Sequence, residues 1–284
     1  MQTTSLLAIE VGSSRVKLGW FPAESACLGD KPAGNLPIAA PVLAVPEAVA
    51  RIDHRRDPQE WTAEVASSIA AMELPAETAC VVAVVRRGVA EALQSEVLAA
   101  RSWQRVQILQ RRDIPLRVNV PEPDRVGVDR LLTSLAANRI RRPGAPAIVA
   151  DIGTAMTVNL LSAEGVFEGG AILAGPTTTL DALHAATSSL PLLGREALDS
   201  PGPVVGKTTA AAMASGAYWG AIGAVRQLIE RIAASCSQEP DLFLTGGAAD
   251  QLAGHIGLGA RTARHLPHLV LSGIHLAAQG MPSP

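Results

Sequence analysis

Two glycine turns that each follow an acidic residue are the features of this sequence best suited to chemistry. Glu10 precedes Gly12 in the segment LLAIEVGSSRVKLGWF, and Asp151 precedes Gly153 in the segment AIVADIGTAMTVNLLS. A carboxylate beside a glycine turn brings hard oxygen ligands for a metal close to backbone N–H donors for phosphate oxygens. One such turn is more often an ordinary hairpin with an exposed acid. Two matching turns in one chain favour a phosphate-binding pair.

The two turns belong to an internal repeat of one supersecondary unit. In each copy an apolar strand ends at an acid, a glycine makes the turn and a second strand follows. Glu10-Val11-Gly12-Ser13 thereby aligns with Asp151-Ile152-Gly153-Thr154, and the linker candidate Pro143-Gly144-Ala145-Pro146 separates the copies. We therefore predict two similar ribonuclease H-like α/β halves, residues 1–143 and 144–284. We expect a cleft between them, as in the actin-like and sugar-kinase superfold.

Two further segments are candidates for a site. The segment LFLTGG over Leu242–Gly247 is a buried strand that runs into a double glycine, which suits close approach of a nucleoside. The tetrapeptide GVDR over Gly127–Arg130 stands at the start of a helical segment. An Asp beside an Arg at a helix start is usually a cap with a surface ion pair. Neither segment is diagnostic by itself.

Hydrophobic periodicity and turn residues predict the elements that position these residues. Besides the two hairpins, strands are predicted near 42–45 and over 80–85, 106–109, 165–173 and 241–245, with one more near the C-terminus. Helices are predicted over 58–72, 88–100, 127–142, after Pro176, over 208–234, and at the C-terminal end.

Composition limits the classes of function. The 284 residues include 48% apolar residues, enough for a sizeable core, and carry a formal net charge of −2. A general nucleic-acid binder would need a concentrated basic face, so we expect no nucleic-acid partner. Cys27, Cys80 and Cys236 lack metal-ligand spacing and indicate reduced thiols in a cytoplasmic protein. The uncharged stretch from Thr208 to Val225 is rich in small residues, which predicts a closely packed helix and no membrane association.

The motifs together resemble the type III pantothenate kinase family. They are, in order, GVDR, DIGTAMTVN, EGGAILAG, GKTTAAAMASGAYWG and LTGGAA, and the resemblance runs from Leu6 to about Leu276. It implies an ATP-dependent kinase that converts pantothenate to 4′-phosphopantothenate, the first step of coenzyme A biosynthesis. It also implies a homodimer that uses magnesium and a monovalent cation, potassium or ammonium.

The resemblance also assigns roles to individual residues. Asp129 corresponds to the general base that accepts the proton of the pantothenate hydroxyl, and Asp151 corresponds to the monovalent-cation site. Glu10 corresponds to the acid nearest magnesium. Pantothenate-binding residues would be Gly127, Val128, Asp129, Arg130 and Thr209. ATP-binding residues would be Glu10, Val11, Gly12, Ser13, Ser14, Arg15, Val16, Lys17, Thr154, Gly246 and Gly247.

The first motif departs from the family pattern. Glu10 stands where the family has Asp, and Ser13 and Ser14 stand where it has Asn and Thr. A tyrosine that usually precedes the GVDR position falls near Val120. Two alternatives therefore stay open beside an active pantothenate kinase. One is a non-catalytic relative that binds a nucleotide or a partner, and the other is a kinase or phosphatase of the same superfold with a different substrate.

Overall fold

The computed structural model describes residues 5–25, 27–28, 43–256 and 261–280. These residues form two compact units. The first unit extends to Ile140 and resumes at His268, and the second runs from Arg141 to Pro267. The predicted division after residue 143 lies close to Ile140, where the chain passes from the first unit to the second. It differs in the C-terminal helix, which the sequence analysis counted with the second half and which packs in the first unit.

The helices and strands follow one another in chain order as α/β elements. Up to Ile140 they are β1 Leu6–Val11, β2 Arg15–Phe21, β3 Cys27–Leu28, β4 Leu43–Ala44, β5 Ala48–Asp53, α1 Pro58–Ala71, β6 Ala79–Val84, α2 Arg87–Ala92, β7 Arg105–Ile108 and α3 Val128–Ile140. Thereafter they are β8 Ala147–Ile152, β9 Ala155–Leu161, β10 Phe167–Ala174, α4 Pro176–Ala186, α5 Thr209–Ser235, β11 Asp241–Thr245, α6 Ala249–Leu252, β12 Ala263–His265 and α7 Leu269–Gln279.

Each unit contains a sheet of the same topology. The described strands of the first unit have the order β5-β2-β1-β6-β7, and those of the second have the order β10-β9-β8-β11-β12. In both sheets the first three strands along the chain pair antiparallel, and the next two add parallel to the opposite side of the first strand. The predicted repeat of two similar α/β halves is thereby confirmed.

The hairpins that head the two sheets differ by one residue at the turn. Val11 pairs with Val16 across the first turn, which leaves four residues between them. Ile152 pairs with Met156 across the second turn, which leaves three. The strands themselves have equivalent register. The extra residue therefore changes the backbone of the first turn and leaves the sheets alike.

The third strand of the first sheet lies elsewhere than predicted. The strand expected near 42–45 corresponds in part to β4, which pairs with the short strand β3 and not with the five-stranded sheet. Val42 lies outside the described residues. The third strand is β5, whose sequence AVARID was assigned to no predicted element; alanine and charged residues have low β-propensity. Antiparallel pairing with β2 makes it a strand.

The helix predicted over 88–100 is shorter than expected. Regular α-helix ends at Ala92, and the chain continues through one π-helical turn, Leu93–Val97, and one 3₁₀ turn, Leu98–Ala100. Leu93, Val97 and Leu98 are buried against the first sheet. Burying these three side chains favours the change of helical pitch, since a widened turn places all three toward the core.

The C-terminal helix α7 belongs to the first unit because it packs closely on α3 and β2. A Cβ added to Gly273 would collide with the carbonyl oxygen of Leu132 in α3. A Cβ added to Gly19 in β2 would lie 2.8 Å from Leu271 of α7. Glycine at both positions permits this close packing of α7, so the first unit includes residues from both ends of the described chain.

The long helix α5 packs by one face onto the second sheet. Tyr218, Ile222, Val225 and Ile229, spaced three or four residues apart, are buried in the core of the second unit. The predicted closely packed helix is therefore present. Across the described part of the chain, no helix combines the length and apolar character that a membrane crossing requires.

His275 of α7 makes the stability of the first unit sensitive to pH. Its ring stacks on Phe21 at a centroid distance of 4.5 Å, and its Nδ1 is buried with no hydrogen-bond partner among the described residues. Burial lowers the pKa of His275 from 6.5 to about 4. Between these pH values His275 is therefore protonated in the unfolded chain and neutral in the folded chain. Stability from this group is full above pH 6.5 and is lost as the pH falls toward 4.

We expect the replacement His275→Phe to remove this pH dependence. Between pH 7.5 and 4.5 the wild type should lose about 2–3 kcal/mol of unfolding free energy more than the variant, at about 1.4 kcal/mol per pKa unit. Urea unfolding at the two pH values measures the difference. The exposed His184→Gln variant should behave as wild type. Equal losses in His275→Phe and wild type would show that His275 is not the responsible group.

Candidate functional site

The hairpin register pairs Glu10 directly with Lys17. The two residues are cross-strand neighbours in β1 and β2, so their side chains emerge on the same face of the sheet. Glu10 Oε2 lies 2.6 Å from Lys17 Nζ, and the Glu10 side chain is only 6% exposed while that of Lys17 is 21% exposed. A buried carboxylate requires such a counter-charge. Glu10 is therefore a neutralised acid at the end of the central strand.

Asp129 lies at the start of α3 with its carboxylate held by its own helix end. The backbone N–H of Arg130 donates to Asp129 Oδ1 at 2.9 Å. A Cβ added to Gly127 would collide with the same oxygen, which explains the glycine of the GVDR segment. Val128 is the first residue of the helix. The expected cap is thus present, and it fixes the direction of the carboxylate.

Asp129 lies near enough to the Glu10–Lys17 pair for both charges to affect its pKa. Burial, and next the negative charge of Glu10, raise the pKa of Asp129 above its ordinary value of 3.8. The Arg130 backbone hydrogen bond and the positive charges of Lys17 and Arg130 oppose this rise without cancelling it. An acid with a raised pKa next to a second acid is the arrangement expected of a proton acceptor. We refer to Glu10, Lys17, Asp129 and the Gly12–Ser14 turn as the first cluster.

The Gly12–Ser14 turn has contacts that the sequence did not reveal. Gly12 N–H donates to the Arg15 carbonyl at 2.9 Å, which closes the turn. The imidazole Nε2 of His54 donates to the Gly12 carbonyl at 2.9 Å. His54 lies 42 residues further along the chain, so no local pattern could have linked it to this turn.

The second cluster consists of Asp151, the Gly153–Thr154 turn and the double glycine Gly246-Gly247. A Cβ added to Gly246 would collide with Asp151 Oδ1 and with the backbone of Ile152, and Gly246 has a φ of +104°. Both observations require glycine at this position. The β11 strand end, predicted to contact a nucleoside, therefore packs directly against the acid of the second turn.

Two further contacts fix the second cluster. The Thr154 carbonyl accepts hydrogen bonds from Gly175 N–H at 2.9 Å and from Thr178 Oγ1 at 2.6 Å, which ties the turn to the start of α4. Arg195 Nη2 donates to the Gly247 carbonyl at 2.8 Å. Arg195 could not be predicted from local sequence, because 52 residues separate it from the glycine that it holds.

The acids of the two clusters have different cross-strand neighbours. Glu10 faces Lys17, whereas the equivalent Asp151 faces the uncharged Thr157. Among the described residues no three His, Cys, Asp or Glu side chains group as a complete metal site. Magnesium, however, is commonly held by one or two carboxylates together with phosphates and waters. Glu10, paired with Lys17, and Asp151 are both carboxylates, and carboxylate oxygens are ligands that fit such cations.

The remaining predicted residues have the following positions. Thr209 is exposed at the first residue of α5, and among the described residues it makes no hydrogen bond to either cluster. Thr208 caps that helix by accepting from Ala211 N–H at 3.2 Å. The other predicted ATP-binding residues of the first motif lie on the β1–β2 hairpin, and they are Val11, Ser13, Ser14, Arg15 and Val16.

Comparison with known proteins identifies relatives across most of the chain. A sequence model of the type III pantothenate kinases matches residues 6–231. The type III pantothenate kinase of Persephonella marina is 29% identical over 202 residues, 70% of this chain and 77% of the relative. The type III pantothenate kinase of Acidiphilium cryptum is 37% identical over 188 residues, 65% of this chain and 67% of the relative.

Solved structures with the same fold share little sequence with the chain. The ethanolamine utilization protein EutJ of Carboxydothermus hydrogenoformans gives a TM-score of 0.52 at 14% identity, over 95% of this chain and 88% of the other. The archaeal actin homolog Ta0583 gives a TM-score of 0.51 at 12% identity, over 97% of this chain and 99% of the other. MreB5 of Spiroplasma citri bound to AMPPNP gives 0.51 at 9% identity, over 98% and 97%. The predicted actin-like superfold is confirmed.

Proposed function

Because the chain belongs to the type III pantothenate kinase family, we propose that it transfers the γ-phosphoryl group of ATP to the hydroxyl of pantothenate. The product is 4′-phosphopantothenate, and the reaction is the first step of coenzyme A biosynthesis. The observation that carries the proposal is the position of Asp129, a fixed carboxylate with a raised pKa beside the Glu10–Lys17 pair.

Asp129 acts as the general base in the proposed reaction. Its carboxylate accepts the proton of the pantothenate hydroxyl as the hydroxyl oxygen attacks the γ-phosphorus and the bond to the ADP oxygen breaks. A pKa above the ordinary value brings proton affinity closer to neutral pH, where a base is most effective. The Arg130 N–H keeps the carboxylate directed while leaving its other oxygen available to the substrate. Phosphoryl transfer otherwise depends on positioning and charge neutralisation.

Pantothenate binding is assigned to the GVDR segment and to α5. Arg130 offers a planar guanidinium for the carboxylate of pantothenate, a pairing that is strong when bidentate. Gly127 and Val128 shape the backbone beside Asp129, and the glycine leaves the Asp129 carboxylate uncovered. Thr209 contributes an exposed hydroxyl at the N-terminus of α5.

ATP binding is assigned to the two glycine turns and the double glycine. The hairpin from Glu10 to Lys17 supplies backbone N–H groups and a nearby positive charge for the phosphates. Thr154 supplies a second turn, and Gly246 and Gly247 present backbone without side chains to the nucleoside. These assignments rest on the equivalent turns of the two sheets and on the family match.

Two cations complete the proposal. Bound magnesium would neutralise phosphate charge, and Glu10 would reach it through a water, since Lys17 already occupies Glu10 Oε2. Asp151, the equivalent acid of the second turn, would hold potassium or ammonium, the role that the family match assigns to this position. The free thiols Cys80 and Cys236 suit a reducing cytoplasm, where we place the enzyme.

A homodimer is proposed from the exposed surface of α5. Ala212, Gly216 and Gly220, four residues apart, form an exposed stripe of small residues, and Cβ atoms added to these two glycines would meet nothing within 4 Å. Beside the start of this helix, Val204 and Val205 are 69% and 68% exposed. Small residues permit close approach of a second helix, and exposed apolar side chains gain from being covered.

Replacing Asp129 by Asn should abolish most catalysis while leaving ATP binding intact. We expect kcat to fall by about 10²–10⁴-fold, the usual contribution of a general base. The wild-type kcat should also decline as the pH falls through the raised pKa of Asp129, because protonation removes the base. An assay that couples ADP release to NADH oxidation, with and without pantothenate, measures both effects.

The exposed Asp124→Asn variant is the matched control and should retain wild-type kcat. Near-normal kcat in Asp129→Asn would reduce Asp129 to a helix cap. Wild-type protein that releases no ADP with pantothenate would favour a non-catalytic relative. ADP release with a different alcohol would favour another kinase of the superfold.

Cation dependence should follow the different neighbours of Glu10 and Asp151. Glu10→Gln should raise the magnesium concentration needed for half-maximal rate, because a neutral side chain no longer attracts the hydrated ion. Replacing potassium by sodium or choline at constant ionic strength should depress the rate, and Asp151→Asn should remove that difference. A rate unaffected by Glu10→Gln or by the monovalent cation would contradict the corresponding assignment.

The variant Gly220→Arg should convert the dimer to a folded monomer. An arginine there has space within one chain and favours helix over glycine, yet it would obstruct a second helix. Sedimentation velocity should give the single-chain mass of 29.4 kDa for this variant and twice that mass for the wild type. Gly254→Arg, at a glycine with equal space outside α5, should remain dimeric. A monomeric wild type, or a dimeric Gly220→Arg, would refute the proposed interface.

A further inference from the structure

Each carbonyl oxygen of the Gly12–Ser14 turn accepts a hydrogen bond from another part of the chain. His54 Nε2 donates to the Gly12 carbonyl at 2.9 Å, and the His54 backbone N–H donates to the Ser14 carbonyl at 3.2 Å. Arg86 Nη1 lies 3.4 Å from the Ser13 carbonyl, a longer hydrogen bond. Three successive peptide oxygens thus have donors, and His54 supplies two of the three.

The direction of these carbonyls sets the direction of the peptide N–H groups. In a planar trans peptide the N–H of one residue points opposite to the carbonyl of the residue before it. When His54 binds the Gly12 carbonyl, the N–H of Ser13 therefore points away from His54. That N–H has no acceptor within the part of the chain that the structure describes. A backbone N–H directed outward from a glycine turn is a donor suited to an anion.

His54 is itself rigidly held. The residue is 5% exposed and directly follows β5, whose last residue, Asp53, pairs with Arg15 at the start of β2. Its ring packs edge-on against Trp61 with centroids 6.3 Å apart. Nε2 faces a carbonyl oxygen and must carry the proton, while Nδ1 is buried without a hydrogen-bond partner among the described residues. Strand pairing and packing, not solvent, determine where this imidazole points.

We propose that His54 is a positioning residue for the phosphate donor: by holding the Gly12 carbonyl, it directs the Ser13 N–H toward a phosphate oxygen of ATP. This inference rests on the proposed kinase function for the identity of the anion. His54 does not touch the nucleotide and acts through the turn. Loss of its Nε2 donor would free the Gly12 peptide to rotate, and the donor presented to the phosphate would be lost with it.

Glutamine and asparagine at position 54 provide a matched pair of variants. The amide nitrogen of Gln reaches about as far as the imidazole Nε2 and keeps a donor for the Gly12 carbonyl. The amide of Asn reaches only about as far as Nδ1 and leaves the carbonyl without a partner. Both variants place a neutral amide in the same buried site, so a difference between them reports the hydrogen bond and not the loss of the ring.

The measurement is the Kd of the non-hydrolysable analogue AMPPNP by calorimetry, together with KM values for ATP and pantothenate. In His54→Asn we expect Kd and KM for ATP to rise by about ten-fold, the loss of one buried hydrogen bond. The KM for pantothenate should stay within about two-fold in both variants. His54→Gln should restore nucleotide binding to within about three-fold of wild type, and the exposed neighbour Arg55→Gln should bind as wild type.

Equal AMPPNP affinities in wild type, His54→Gln and His54→Asn would overturn the proposal, even if both variants melt at lower temperature. A rise of the KM values for ATP and pantothenate by the same factor would also overturn the proposal, since that would indicate general loss of structure. A wild type that binds AMPPNP but never phosphorylates pantothenate would refute the proposed function alone. The comparison of Gln with Asn by calorimetry would then still decide the role of His54.

Discussion

A carboxylate on a buried strand must be neutralised, and the first unit meets this requirement through the register of one hairpin. Glu10 is 5% exposed on a strand whose other side chains are all buried. Desolvating such a charge costs several kcal/mol unless an opposite charge accompanies it. The β1–β2 pairing places Lys17 directly across from it. The same two charges act on Asp129, whose pKa Glu10 raises and Lys17 lowers.

The second unit repeats the hairpin and changes the residue that faces the acid. Thr157 occupies the position of Lys17, and the second turn is one residue shorter. One scaffold thus places a lysine opposite the acid of the first sheet and a threonine opposite the acid of the second. In the proposed kinase, this difference would allow the two copies of one supersecondary unit to serve different ions.

Glycine acts in both clusters by leaving space for a carboxylate. Gly127 makes room for Asp129, and Gly246 makes room for Asp151. In each case a Cβ would collide with a carboxylate oxygen, so any other residue would force the acid to move. The glycines that look like simple turn residues in the sequence are therefore steric requirements of the acids. The glycines leave the carboxylates free to adopt the directions seen in the structure.

Local sequence was enough to predict the two hairpins, their acids and glycines, and the helix that begins beside Asp129. It also predicted that the chain contains two similar sheets. These features are encoded within short segments, where alternation, turn residues and caps act between near neighbours. The strand β5, the place of α7 in the first unit, and the contacts of His54 with Gly12 and Arg195 with Gly247 were not predictable in this way. They join residues from 28 to more than 200 positions apart, and no local propensity specifies them. Only the packing of the whole chain, which brings distant backbones within hydrogen-bond distance, determined which side chains hold the turns.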